Sequence, residues 1–113
     1  MPKYVLAYYG GGMPESPEDQ AKVMEAWGAW FGQLGSKLTD GGNPTSGAAK
    51  TISPDGSVKD GANGPALSGY SIIEAENLEE ATTLAGGCPV LHGGATISVF
   101  ETFDVMAATG APA

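Results

Sequence analysis

His92 is the side chain best suited to acid–base chemistry, because it is the chain's one histidine and an unperturbed imidazole titrates near pH 6.5, or about neutrality. It stands in a glycine-rich stretch before the last predicted strand. Paired with Asp40 or Asp60 from other loops, it would act as a general base oriented by a carboxylate. A lone titratable residue in a turn is more often a solvated loop side chain, so the catalytic set of His92, Asp40 and Asp60 is a hypothesis.

Metal and nucleotide cofactors are not predicted. Cys88 and His92 supply two candidate metal ligands, whereas a zinc site requires three or four. Three glycines at 10–12 follow an apolar strand, but a dinucleotide-binding loop needs a further spaced glycine, and Met13, Pro14 and Glu15 stand there instead. The glycines therefore indicate a turn.

Aromatic and amide side chains provide candidates for ligand binding. Tyr8 and Tyr70 lie in predicted neighbouring strands and have hydroxyls that a ligand could use. Trp27 lies in a predicted helix, and Asn43 lies in the polar turn DGGNP at 40–44. The alternative is that the aromatic residues simply pack in the core, which is their commoner role.

The first helix has clear boundaries. Ser16 is a good N-cap, Pro17 suits the first helical position, and Gly35 ends the pattern. Between them an apolar stripe recurs at helical spacing, formed by Val23, Met24, Trp27, Trp30, Phe31 and Leu34. Gly28 and Gly32 would weaken this helix, which predicts that another part of the protein approaches them closely.

The remaining elements follow from alternation, turns and caps. Strands are predicted at 3–9, 37–39, 48–52, 69–75 and 95–103, with pairing resumed near Val58 after the turn SPDG. A second helix is predicted from Leu78 to about Gly86, with Asn77 as its N-cap and Glu80 three residues later. The stretch 60–68 is predicted to be irregular.

This order predicts an α+β, ferredoxin-like βαββαβ fold, an antiparallel sheet with two helices on one face, in which the third strand is a possible broken hairpin. The other face of the sheet carries apolar and aromatic residues that would be costly to expose. We therefore expect two sheets to pair face to face in a homodimer.

Length and charge limit the functional classes. The 113 residues suit one domain, predicted at 1–104, followed by a loose tail at 105–113. The net charge of −8 disfavours nucleic acid, which is bound mainly through lysine and arginine. One cysteine and no long apolar run predict a cytoplasmic protein that does not bind membranes.

Several motifs together resemble the YCII-related family, including its DGPF branch. They are Lys3 and Tyr4, the stretch 27–44, Asp60 and Gly61, GYSIIEA at 69–75 and GGCPVLHGG at 86–94. The resemblance covers residues 3 to about 103 and implies a dimeric α+β barrel of ferredoxin-like subunits. It also implies a cleft between sheet and helices that serves a small-molecule enzyme or binder.

The chain departs from that family at two motifs. The DGPF motif reads Asp60, Gly61, Ala62, Asn63. Part of the family has a proposed His–Asp pair, but here Met24 or a neighbour replaces the histidine and Cys88 replaces the aspartate. The family's proposed His–Asp pair is therefore not predicted for this chain.

Two functional classes remain open. In the first, the protein binds or converts a small uncharged or cationic organic molecule, in a cleft near Trp27, Asn43, Tyr70 and the catalytic set. In the second, it is a non-catalytic dimerising module whose aromatic stripe and open sheet serve only for packing.

Overall fold

The structure is a computed structural model that describes residues 1–105. Its strands are β1 (Lys3–Tyr9), β2 (Leu38–Asp40), β3 (Lys50–Ile52), β4 (Val58–Asp60), β5 (Leu67–Glu74) and β6 (Thr96–Glu101). Its helices are α1 (Pro17–Leu34) and α2 (Leu78–Ala85), with short 3₁₀ turns at Gly35–Lys37 and Pro89–Gly93. Beyond Val105, the predicted tail lies outside the described residues.

The main sheet confirms the predicted fold. Its strand order is β2-β5-β1-β6 and its paired strands are antiparallel. With α1 following β1 and α2 following β5, this is the ferredoxin-like arrangement. The protein is therefore of the α+β class.

The predicted third strand does not join that sheet. β3 and β4 pair with each other as a separate two-stranded hairpin, from Lys50↔Asp60 to Ile52↔Val58. The turn between them is closed by hydrogen bonds from Ser53 N to Ser57 O and from Gly56 N to Ser53 O, both 2.8 Å long. This tight turn folds the segment back on itself. Since β3 and β4 lie between β2 and β5 in the chain but outside the main sheet, the hairpin is an insertion between those two strands.

Both predicted N-caps are confirmed. Ser16 Oγ accepts a hydrogen bond from Asp19 N at 3.0 Å, and Asn77 Oδ1 accepts one from Glu80 N at 2.8 Å. Glu80 also forms an ion pair with Lys37 at 3.0 Å. This contact joins the start of α2 to the 3₁₀ turn that follows α1.

The core lies between the helices and one face of the sheet. Alternate residues of β1, namely Tyr4, Leu6 and Tyr8, are buried there. They form one apolar cluster with residues of β5 and the position after it, of the two helices and of the turn after α2: Trp30, Leu34, Ile73, Ala75, Ala81, Ala85 and Cys88. The first helix is thus held by Trp30 and Leu34, while the rest of its apolar stripe is less buried.

Gly28 and Gly32 do not mark a close approach, so that prediction is wrong for the described residues. A Cβ built at either position meets no atom within 4 Å. Each glycine therefore loosens the helix without a packing reason among residues 1–105.

We expect Gly28→Ala and Gly32→Ala each to raise the free energy of unfolding by about 0.5–1 kcal/mol, since alanine is the better helix former. Urea denaturation of each variant measures this gain. A loss of stability in either variant would indicate a contact that the described chain does not contain.

Within residues 1–105, no helix has both the length and the apolar character needed to cross a membrane.

Candidate functional site

A cavity of about 620 Å³ opens between α1 and the end of the sheet where β1 stops and β5 starts. Its lining comes from the loop after β1, from α1, from the turn after β2, from the start of β5 and from the 3₁₀ turn before β6. These residues are Tyr8, Gly10, Gly11, Gly12, Met13, Met24, Trp27, Phe31, Gly41, Gly42, Asn43, Pro44, Ser68, Gly69, Tyr70 and Val90. The volume lies within the range of small-molecule sites.

A second hollow, of about 580 Å³, is lined by Met1, Pro2, Lys3, Glu101, Thr102, Phe103 and Asp104. It lies at the two ends of the described chain. It contains none of the residues that the sequence singles out for binding or catalysis. We therefore place the candidate site at the first cavity.

Aromatic rings form the α1 wall of this cavity. The ring centroid of Trp27 lies 6.0 Å from that of Tyr8, 5.7 Å from that of Trp30 and 5.6 Å from that of Phe31. Trp30 is buried, whereas Trp27 and Phe31 are half-buried. The apolar stripe of α1 is therefore wider than the core requires, and its outer part faces the cavity.

The opposite wall depends on glycine. Gly42 has φ = 74°, and a Cβ built on it would lie 1.6 Å from the carbonyl oxygen of Tyr70. A Cβ on Gly41 would lie 3.0 Å from Cζ of Phe31. The turn at 40–44 can lie this close to β5 and to the α1 wall only because these positions carry no side chain.

A chain of hydrogen bonds lies behind the cavity wall. The Cys88 thiol donates to the Tyr8 hydroxyl (3.6 Å), Tyr8 donates to Ser71 Oγ (2.7 Å), and Ser71 donates to the carbonyl oxygen of Gly41 (2.8 Å). Cys88, Tyr8 and Ser71 are all buried. This relay ties the turn at 40–44 to the core, since each buried donor has its acceptor in place.

The relay requires its acidic groups to be neutral. Burial raises the pKa of Cys88 and also raises the pKa of Tyr8. In the unfolded chain these groups ionise near their ordinary values of 9.0 and 10.0. Their folded pKa values are higher, so the stability they contribute is fully present below pH 9.0 and falls as the pH rises towards the folded values.

We therefore expect the free energy of unfolding to decrease above a pH of about 9, measured by urea denaturation across an alkaline series. Cys88→Ala removes the thiol and should flatten the first part of that decrease. An unchanged slope in this variant would show that Cys88 does not titrate as the relay requires.

The four predicted ligand-binding residues, Tyr8, Trp27, Asn43 and Tyr70, all line this one cavity. Their role in binding stays a prediction. The ring of Tyr8 contributes to the wall, but its hydroxyl is already engaged by Ser71 and Cys88. Asn43 is exposed at the rim and Tyr70 is half-buried.

The predicted catalytic residues lie elsewhere. His92 is exposed in the 3₁₀ turn Pro89–Gly93, and Asp60 forms an exposed ion pair with Lys50 on the β3–β4 hairpin. Asp40 accepts a hydrogen bond from Gly42 N at 2.8 Å, which shapes the turn. None of the three is among the described residues that line the cavity, and their acid–base role stays a prediction. Among residues 1–105, no group of three potential metal-binding side chains comes together either.

Sequence reasoning missed several lining residues. Met13, Met24, Phe31, Ser68 and Val90 were not proposed for binding. One signal for part of this set was present, because Met24 and Phe31 widen the helical stripe beyond a single core-facing line. For Ser68 and Val90 no local pattern marked the position, since the cavity forms only when β5 and the turn before β6 come together.

Comparison with known proteins gives a fold relationship. No family model matches the chain, and no curated protein matches it. Among solved structures it is similar to 5-chloro-2-hydroxyhydroquinone dehydrochlorinase (TftG) from Burkholderia phenoliruptrix AC1100, in complex with 2,5-dihydroxybenzoquinone. The TM-score is 0.51 at 21% sequence identity, and the match covers 89% of this chain and 93% of that chain. At this identity the similarity supports the shared fold.

Proposed function

We propose that this protein binds a small organic molecule in the cavity between α1 and the sheet, as a YCII-like binder or enzyme. The observation that carries the proposal is the convergence of Tyr8, Trp27, Asn43 and Tyr70 on one cavity of about 620 Å³. These residues come from two strands, a helix and a turn that are far apart in the sequence. A mostly apolar cavity with a few polar groups is the usual form of a small-molecule site.

Three further points support this proposal. TftG has the same fold and was solved with a small ring compound bound. The sequence motifs resemble the YCII-related family, so we propose membership of that family for the domain at 1–104. The wall opposite α1 is also held in place, because the hydrogen-bond relay from Cys88 to Gly41 fixes the turn at 40–44.

Thermal-shift screening of a metabolite library tests the proposal, since a ligand that binds only the folded state raises the apparent melting temperature. We expect at least one compound to raise it in a concentration-dependent way. Phe31→Ala removes one ring of the α1 wall and should reduce that shift. Val58→Ala, on the separate hairpin, should leave the shift unchanged. A library without any stabilising compound would count against the proposal.

A second candidate function, a non-catalytic dimerising module, is favoured by the open face of the sheet. Val5 pairs with Ile72 on one side and Phe100 on the other, on the face opposite Tyr4, Leu6 and Tyr8. Phe100 remains 53% exposed in the single chain. We propose that a second copy of the chain covers this face, whether or not the cavity binds a ligand.

Sedimentation equilibrium at micromolar concentration tests the homodimer. We expect the wild-type protein to sediment as a dimer and Phe100→Glu to sediment as a monomer, because a buried carboxylate without a partner is costly. Phe103→Glu is the matched control, since Phe103 is 77% exposed and lies beyond the end of β6. A monomeric wild-type protein would contradict dimerisation.

A further inference from the structure

The cavity lining is electrically neutral. None of the described residues that line it has a side chain charged at neutral pH, and its polar side chains are those of Asn43, Ser68, Tyr8 and Tyr70. A charged ligand entering this space would lose hydration without gaining an ionic partner. The lining therefore offers no ionic partner to an ion of either sign.

The aromatic wall is suited to a ring. Tyr8 and Trp27 meet at an interplanar angle of 62°, and Trp27 and Trp30 meet at 77°, so these rings already pack edge to face. A flat ring in the cavity can extend this arrangement, which is the preferred geometry of aromatic pairs. The exposed amide of Asn43 can hydrogen-bond a hydroxyl or carbonyl substituent on such a ring.

Two methionines stand at the rim. Met13 follows the glycines after β1 and Met24 lies on α1, and they are 54% and 60% exposed. Both line the cavity and carry no role in the core cluster. Methionine is flexible and polarisable, so it adapts its shape to an apolar surface and makes favourable contacts with rings.

We propose that the cavity takes an uncharged, flat, ring-containing molecule with neutral polar substituents, and that Met13 and Met24 determine how well it fits. This inference rests on the proposed function and narrows the predicted ligand class, since it excludes cations. The net charge of −8 acts in the other direction, because the field of the whole protein attracts cations. A preference for the neutral ligand over a cation must therefore come from the cavity itself.

Isothermal titration calorimetry with three probes of one ring system separates these effects: 2-naphthol, 2-naphthoate and 2-naphthylmethylammonium, which are neutral, anionic and cationic at neutral pH. We expect 2-naphthol to bind at least about tenfold more tightly than either ion, at low and at high salt. Equal or tighter binding of an ion would overturn the inference and leave the proposed function standing. If all three probes and the metabolite library fail to bind, both proposals are overturned.

Substitution at the rim tests the part assigned to the methionines. Met13→Gln and Met24→Gln keep the side-chain length, and both positions are exposed, so folding should be unaffected. We expect each to weaken 2-naphthol binding by about threefold or more at an unchanged melting temperature. Leu78→Gln is the control, because Leu78 is 47% exposed on α2 and is not among the lining residues. Wild-type affinity in both methionine variants would overturn their role.

Discussion

Trp30→Ala is expected to lower the free energy of unfolding by about 3–5 kcal/mol, the usual cost of removing a large buried aromatic side chain. Trp30 is 3% exposed, and its Nε1 donates a hydrogen bond to the carbonyl oxygen of Leu84 at 3.1 Å. A Cβ on Gly87 would lie 3.3 Å from Cδ1 of the same ring. This residue therefore joins α1 to α2. Its loss leaves a void and removes one of the two hydrogen bonds to the Leu84 carbonyl oxygen, which still accepts one from Gly87 N at 3.2 Å.

Trp27→Ala is the matched comparison, because the residue lies one helical turn earlier on the same stripe. Trp27 is half-buried and contributes a wall of the cavity. We expect Trp27→Ala to lower the free energy of unfolding by about 1–2 kcal/mol and to abolish the ligand-induced thermal shift. Urea denaturation and thermal-shift titration together measure the two effects. Equal stability losses for Trp27→Ala and Trp30→Ala would mean that both are core residues and that the α1 wall is not a binding surface.

Gly42→Ala is expected to lower the free energy of unfolding by about 2–5 kcal/mol, which combines left-handed backbone strain with overpacking. The new Cβ would lie 1.6 Å from the carbonyl oxygen of Tyr70. That oxygen belongs to the backbone of β5, so the turn at 40–44 must move away from the sheet. The variant should therefore also bind the cavity ligand more weakly.

Gly47→Ala isolates the strain from the overlap. Gly47 has φ = 93°, but a Cβ there meets no atom of the described residues within 4 Å. We expect Gly47→Ala to lower the free energy of unfolding by no more than about 1–2 kcal/mol and to keep the ligand affinity of the wild-type protein. Urea denaturation of the two variants gives the difference. If Gly42→Ala is no less stable than Gly47→Ala, the close approach of the turn to β5 is not present in solution.

Local signals predicted much of the fold. Ser16 and Asn77 were recognised as N-caps because their side chains and the acidic residues after them follow a short-range pattern. Gly35 marked the end of α1 for a similar local reason. The hairpin of β3 and β4 across the SPDG turn was predicted as a possibility, but its separation from the main sheet was not, because two short strands carry no signal that tells which sheet they join.

The candidate site was predictable only in part. Tyr8, Trp27, Asn43 and Tyr70 could be proposed from residue type, and the structure places all four around one cavity. The relay from Cys88 through Tyr8 and Ser71 to Gly41 links positions up to 80 residues apart in sequence, so no local pattern contains it. Met24 was predicted to widen the apolar stripe of α1, but it is 60% exposed at the rim of the cavity. Which part of that stripe stays uncovered depends on the sheet that packs against it.

The most direct test of ligand binding at this cavity is a ¹H–¹⁵N correlation spectrum recorded during titration with the compound that gives the largest thermal shift. Glycine amides fall in a separate region of that spectrum and report on the parts of the lining outside α1. We predict that the lining glycines shift, namely Gly10, Gly11, Gly12, Gly41, Gly42 and Gly69. Glycines outside the lining should stay unchanged, namely Gly47, Gly56, Gly61 and Gly64. Shifts confined to the second set, or to residues of the open sheet face, would contradict binding at this cavity.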